Sequence, residues 1–342
     1  MMASDDFTSV TSPFRAELLA HCYRMVGSAE EAEDLVQETY LRAWRAYHGF
    51  QGRSSVRTWL YRIATNTCLT AIERRGRRPL PSGLGGPGDD PGAAPAAPLD
   101  VPWLQPIPDA VLRAARADPA AVAVARAGTR LAFVAALQYL SARQRAVLIL
   151  RDVLEWPAAQ VAGLLGLSTT AVNSALRRAR AQLAQALPAE DDVAEPAEPG
   201  RRAMLDRYAA AFEDADVTTL AGLLRADIAL EMPPIATWFA GRDSVARFLA
   251  SHVLRAPGQF RLVPTAANGQ PAFATYERGR DGAYAAHALQ VLTVTPGGVA
   301  RIVIFLGAGL FGSFGLPDVY GAAAAGAVLA GADRAGHGGS DG

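Results

Sequence analysis

From Phe14 to about Arg78 apolar residues recur at helical spacing, with Leu18, Cys22 and Met25 followed by Leu35, Leu41 and Trp44. Steps of three and four residues place such side chains on one face of a helix. The pattern then lapses. Pro79 to Pro108 is dense in Pro, Gly and Ala, which predicts a linker. A second helical stretch runs from about Asp109 to Leu187, and the acidic spacer Glu190 to Glu198 leads into a third block. There the period changes. A helix over Arg201 to Arg225 and another over Ser244 to Leu254 accompany short alternating runs, at Phe260–Val263, Ala272–Tyr276, Ala283–Val294 and Val299–Leu306. The dipeptides Asn268-Gly269 and Gly297-Gly298 supply turns between them. This predicts an α+β domain over 201–318 with a curved antiparallel sheet. Beyond Asp318 Gly and Ala dominate, so 319–342 is expected to be a disordered tail.

Within the second stretch, residues 157–183 carry a helix-turn-helix pattern. Pro157 suits a first helical turn, Val161, Leu164 and Leu165 form an apolar stripe, Gly166 permits a tight turn, and Ser168 caps the next helix. Val172, Leu176, Ala179 and Leu183 give that second helix one apolar face. Thr169, Thr170, Asn173, Ser174, Arg177 and Arg178 fall elsewhere on it. Short hydrogen-bonding residues at the N-terminal end with arginines a turn later suit base edges and phosphates. The pattern is common to many DNA-binding proteins.

Charge sharpens the picture only when read locally. Thirty-three basic residues balance 33 acidic ones, and no lysine occurs. Every cation is therefore a planar guanidinium fork, suited to phosphates and guanine edges. Arg53, Arg57, Arg62, Arg74, Arg75, Arg77 and Arg78 crowd one segment against the single acid Glu73, whereas Ser28 to Thr39 is acidic without a base. Cys22 and Cys68 lie in helical patterns with no CxxC or histidine pair, so no metal or other cofactor is expected. The N-terminus does not have a signal-peptide pattern, and the apolar stretch Ile302 to Pro317 is too short and glycine-broken to span a bilayer. A cytoplasmic protein without membrane attachment is expected.

The segment Asp34-Leu-Val-Gln-Glu-Thr-Tyr-Leu-Arg-Ala-Trp and the segment Phe50-Gln-Gly-Arg-Ser-Ser-Val-Arg-Thr-Trp-Leu-Tyr-Arg-Ile-Ala-Thr-Asn resemble region 2 of the extracytoplasmic-function (ECF) group of the sigma-70 family. Leu140-Ser-Ala-Arg-Gln-Arg-Ala-Val-Leu-Ile-Leu-Arg-Asp-Val-Leu-Glu-Trp, running into the helix-turn-helix, resembles their region 4. The resemblance implies all-α domains at 14–78 and 109–187, joined by the linker 79–108. It implies partners as well: the RNA polymerase core, through the clamp helices of its largest subunit and its flap region, and promoter DNA. On that basis Asp34, Leu35, Gln37 and Glu38 are the core-docking candidates, with Leu35 as an apolar anchor on an exposed face. Arg53, Ser54, Ser55, Arg57, Trp59, Tyr61, Arg62 and Asn66 are the candidates for the melted −10 element, where aromatics serve as stacking platforms. The residues singled out in the helix-turn-helix are the candidates for the −35 element.

Residues 201–318 are similar to the SnoaL-like cone, a fold shared by polyketide cyclases, ketosteroid isomerases and many non-enzymes. The resemblance rests on element order and the stretch Trp238-Phe-Ala-Gly-Arg-Asp before a helix. Trp103-Leu-Gln-Pro in the linker is similar to a tryptophan-proline motif that accompanies such a domain in a subgroup of these sigma factors. There the extension implies control in cis. Trp238, His252 and His287 are candidates for a pocket in the cone, and Glu231 and Asp243 are further acid–base candidates. A lone histidine on an apolar strand is more often a core residue than a base, so no enzyme is expected. Three readings stay open: a sigma factor with an intramolecular regulator, a one-component regulator sensing a ligand, and a cone enzyme fused to a DNA-binding arm.

Overall fold

The computed structural model describes residues 2–52, 54–113, 128–186 and 199–320. The first helical domain contains α1 (Met2–Thr11), α2 (Arg15–Val26), α3 (Ala29–Ala46) and α4 (Val56–Arg75). Serines start the two long helices: Ser28 accepts from the Glu31 amide and Ser55 from the Thr58 amide. Gly27 ends α2 with a φ of 72°, the left-handed conformation that glycine adopts freely. Leu18, Cys22 and Met25 from α2, Ala32, Val36 and Ala43 from α3, and Leu60, Ala64 and Cys68 from α4 close the core between them.

The second helical domain holds α5 (Asp109–Arg113), α6 (Leu131–Leu137), α7 (Ala142–Leu148), α8 (Ala158–Leu165) and α9 (Thr169–Ala186). A π-helical turn, Ile149–Val153, extends α7. Ser141 and Gln144 form a reciprocal capping box at the start of α7. Between α8 and α9, Gly166 takes a φ of 66° and Ser168 accepts from the Ala171 amide.

The third domain packs α10 (Pro199–Glu213), α11 (Val217–Leu223) and α12 (Arg242–Phe248) against a sheet. Its strands are β1 (Leu224–Met232), β2 (Ile235–Ala240), β3 (Phe260–Ala267), β4 (Gln270–Arg278), β5 (Tyr284–Thr295), β6 (Gly298–Leu306) and β7 (Val319–Tyr320). The order is β2-β1-β6-β5-β4-β3, with β7 on β5. Two expectations change here. The helix from Arg201 breaks before Val217 and gives way at Leu224 to strand, and the sheet is mixed, because β1 and β6 run parallel. Val319–Tyr320, expected in the tail, pair with the start of β5; residues 321–342 and the acidic spacer lie outside the described residues.

The sheet is covered on both faces. Ile228, Leu230, Leu292 and Ile302 face the domain's own helices, whereas Val263, Ala274, Leu289, Val303 and Phe305 join the core of the helical domains. Period-two alternation splits the strands between these two cores.

Pro79 to Pro108 is not a free spacer. Pro98 bridges to Ile235 at the β2 edge, and Pro108 bridges to Ala267 at the β3 end. The Gly88 amide donates to Trp238 O at 2.7 Å, Leu99 to Pro234 O at 2.9 Å, and Ser82 to Glu231 Oε2 at 2.9 Å. On the other side Gln105 donates from its amide to Gly27 O, and Leu104 packs against Gly27 so closely that a Cβ there would sit 2.7 Å from its Cδ1. The sheet edges and the α2 C-terminus satisfy backbone groups that composition alone leaves unassigned.

Candidate promoter interface and its cover

Helix α3 presents Asp34 and Gln37 to solvent, with Glu38 half-buried and ion-paired to Arg42 at 2.7 Å. Leu35 differs from expectation. It is 8 % exposed and belongs to the core with Val36, because the helical step that puts Asp34 outward turns Leu35 inward. The apolar groups on the outer face are instead Leu41, 51 % exposed, and Trp44, 55 % exposed. They continue the row from Asp34 and Gln37 at steps of four and three, a signal present in the sequence. Glu30, Glu33 and Asp34 also rim a cleft of about 700 Å³ whose far walls are Trp103 of the linker and Leu310 of the cone.

Helix α4 carries the melting candidates, and part of it is covered. The Arg57 guanidinium chelates Glu17 at 2.8–3.0 Å and stacks over Tyr61 (5.1 Å) and over Trp156 of the second domain (5.6 Å). Gln160 on α8 donates to Thr58 at 3.0 Å. Tyr61, expected as an exposed platform, is fully buried: its ring packs on Trp156 at 5.1 Å and on His21. Burial, with the Glu17 charge beside it, pushes its hydroxyl pKa well up. Trp59 is half-buried, with Phe50 at 4.8 Å. Arg62, Asn66 and Ser55 are exposed and Ser54 is half-buried; Arg53 lies outside the described residues. The basic cluster is partly spent internally. Arg75 and Arg78 both pair with Glu31, at 3.0 and 2.8 Å, and Arg77 stacks on Tyr139.

Helix α9 is open. Thr169, Thr170, Asn173, Arg177 and Arg178 are exposed and Ser174 is half-buried, while Val172 and Ala179 are fully buried beneath them.

The closed packing is held by a hairpin from the cone. Asn268, at the β3–β4 turn with a φ of 59°, is fully buried where all three domains meet. Its side-chain amide donates to Tyr23 Oη (2.7 Å) and Thr129 O (2.6 Å), and its carbonyl oxygen accepts from the Ile107 amide (3.0 Å). Next to it Asp109 accepts from the Gly269 amide, and Gln270 accepts from the Leu131 amide. Directly between the helical domains, Arg24 donates to Gly128 O and Arg145 to Met25 O. Arg145 is 1 % exposed, and burial lowers its pKa to about 10. The sequence marked Asn268-Gly269 only as a turn.

Inside the cone, His252 and His287 line a cavity of about 210 Å³. His287 Nδ1 lies 3.1 Å from Glu277 Oε2, and His252 Nε2 lies 3.1 Å from Gly92 O of the linker. Trp238 does not line the cavity; its indole donates to Gly85 O. Glu231 is buried in an ion pair with Arg301, and Asp243 is exposed at the start of α12. Among the described residues no cluster of His, Cys, Asp or Glu has metal-site geometry, and no helix is long and apolar enough to cross a membrane.

Comparison with known families finds sigma-70 region 2 over residues 12–78, sigma-70 region 4 over 130–183 and a SnoaL-like domain over 205–302. The chain is 51 % identical over 315 residues to the ECF RNA polymerase sigma factor SigG of Mycobacterium tuberculosis H37Rv, covering 92 % of this chain and 84 % of that protein. It is 30 % identical over 255 residues to SigJ of the same strain, covering 72 % and 73 %. The crystal structure of Mycobacterium tuberculosis SigJ aligns with a TM-score of 0.61 at 24 % identity, over 89 % of this chain and 98 % of that one, and so shares its fold.

Proposed function

The chain belongs to the ECF sigma factors, which direct transcription, and from that premise we propose that its own C-terminal cone holds it in a closed, latent state. Sigma factors bind RNA polymerase core and promoter DNA. For this chain we assign core docking to the outer row of α3, Asp34, Gln37, Glu38, Leu41 and Trp44, which meets the basic clamp helices. The exposed face of α9 reads the −35 element. Arg62, Asn66 and Trp59 on α4 take the melted −10 element. Leu35 and Tyr61 act from beneath, as packing residues.

The observation that carries the regulatory reading is the cover on α4. Trp156 and Gln160 belong to the DNA-reading domain, yet they sit on Arg57 and Thr58 of the melting helix. Elements at −35 and −10 are about 25 base pairs apart, which is ~85 Å along B-DNA at ~3.4 Å per pair. Two domains in side-chain contact cannot serve both ends of that span. Opening is therefore part of initiation, and Asn268 opposes it.

Run-off transcription with purified core polymerase tests this. Asn268→Gly keeps the left-handed turn and removes the side chain that joins the domains. It is expected to initiate more strongly than the unaltered chain on the same promoter. Equal output from both would reject control by the cone.

A further inference from the structure

The cavity in the cone is an opening for a ligand. Phe212, Phe248, Phe260 and Ile304 form apolar walls around about 210 Å³ that the domain's own side chains leave unfilled. The space is a partly open, mostly apolar cleft, the kind of concavity in which small molecules bind. Ordered water needs two to four polar partners, and here most of the polar capacity is already used. Gln290 accepts from Tyr208 Oη at 2.7 Å and donates to Thr275 Oγ1 at 2.9 Å. What remains for an occupant is the Thr275 hydroxyl proton and one ring nitrogen each of His287 and His252, whose other nitrogens face Glu277 and Gly92 O. No Arg, Asp or Glu lines the space, and both lining histidines already face an acceptor, the Glu277 carboxylate for His287 and Gly92 O for His252. An anionic occupant would therefore lose its hydration beside no uncompensated cation.

One wall is not part of the cone. Pro95 of the linker lines the cavity, and it is the one residue from Gly92 to Asp100 that is not exposed. The strap around it is fastened at Gly88 to Trp238, at Gly92 to His252 and at Leu99 to Pro234. This strap is the covalent connection between the two helical domains, so separating them draws on it. A molecule beneath Pro95 touches the strap only while the strap is seated.

We propose that the cone cavity binds a small, uncharged, mostly apolar ring compound carrying one carbonyl or hydroxyl oxygen, and that this ligand acts as a corepressor by seating the Pro95 strap. The size follows from the volume, since an apolar cavity of about 150 Å³ admits benzene; this one takes a ring with a small substituent. The direction of control follows from the strap, because a ligand favours whichever state gives it more contacts. The direction rests on the closed-state reading; the binding does not.

The test uses the full-length chain with acetophenone as probe and benzoate as its charged counterpart, read by saturation-transfer NMR and then by run-off transcription. Acetophenone is expected to bind and benzoate not. Ala288→Leu fills the cavity and is expected to weaken acetophenone at least tenfold; Thr275→Val removes the hydroxyl and is expected to weaken it several-fold if the first variant does not fold. Pro95→Gly is expected to abolish the drop in transcription that acetophenone causes. Acetophenone failing to bind, binding unchanged in both cavity variants, or benzoate competing equally would overturn the site. Binding without any effect on transcription, while Asn268→Gly still activates, would overturn the corepressor role alone. Loss of both effects would instead fault the closed-state reading.

Discussion

Helix α9 offers its polar face to solvent, from Thr169 to Arg178, whereas the first two turns of α4 lie beneath Trp156 and Gln160 of the neighbouring domain. Both helices are assigned to promoter DNA, and only one is covered. The difference separates two steps. Duplex reading needs a protruding helix and a few arginines. Strand melting needs a surface on which unpaired bases stack; the second domain covers Arg57 and Thr58 at the start of α4 and leaves Arg62 and Asn66 exposed. Under the proposed closure such a chain still meets duplex DNA but cannot place α4 at the −10 element at the same time.

The largest way to break that asymmetry is Asn268→Gly. Its buried side chain makes three hydrogen bonds across the domain junction, all of them lost in one substitution. Groups left unpaired in the closed state cost about 2 kcal/mol, a shift of roughly thirtyfold toward the open form where that form is rare. Run-off output is expected to rise by an order of magnitude.

Acid should act on the α4 side alone. His21 is packed behind this helix, 3.0 Å from Thr65, and burial, followed by the charges of Arg24 and Arg57, lowers its pKa to about 3. The folded value is below the unfolded 6.5, so the stability this neutral ring contributes is whole above about pH 6.5 and drains away as pH falls toward 3. The slope is at most ~1.4 kcal/mol per pH unit. Denaturant titrations at pH 7 and pH 5 should show the loss in the intact chain and a flatter profile in His21→Asn.

On the α9 side, Arg177→Ala and Arg178→Ala should each weaken binding of the free chain to a −35 duplex several-fold and lower its salt slope by about 0.9. Arg62→Ala should leave that duplex binding unchanged. The smallest effect is expected from Gln160→Ala, which removes one half-buried hydrogen bond to Thr58. About 1 kcal/mol corresponds to roughly a fivefold gain in the open fraction. A loss of transcription in that variant would mean that the contact serves initiation rather than closure.

What was legible in the sequence is what local physics decides. The helix-turn-helix follows from Gly166, the Ser168 cap and the stripe Val161, Leu164, Val172, Leu176, all within one short stretch. Family motifs supplied the rest of the helical framework. Side-chain direction was harder. Among five acids on α3, Leu35 reads as an exposed anchor, although its four-step neighbours Glu31 and Thr39 are themselves buried. Tyr61 likewise stands beside arginines in sequence but beside Leu60, Ala64 and Thr65 in the core. Strands β1 and β2 escaped because β1 pairs in parallel with β6, about 70 residues away, and the hairpin that joins β1 to β2 turns on Pro233-Pro234, which is not one of the glycine-containing turn dipeptides that signal a hairpin. The linker escaped for the same reason: its partners are a strand edge and a helix end far along the chain. The role of Asn268 depends on three domains at once, so only its turn was readable.

In the proposed mechanism the free chain is closed and opens on the polymerase. Spin labels at Thr70→Cys on α4 and Ala184→Cys on α9, both exposed positions, report it directly, since Cys22 and Cys68 are buried away from the reagent. In the free protein, pulsed electron-electron resonance should give one short, narrow distance that broadens in Asn268→Gly. Bound to core polymerase, the distance should lengthen by tens of ångströms, toward the ~85 Å promoter span. An identical distance in the free and core-bound chains would contradict the account.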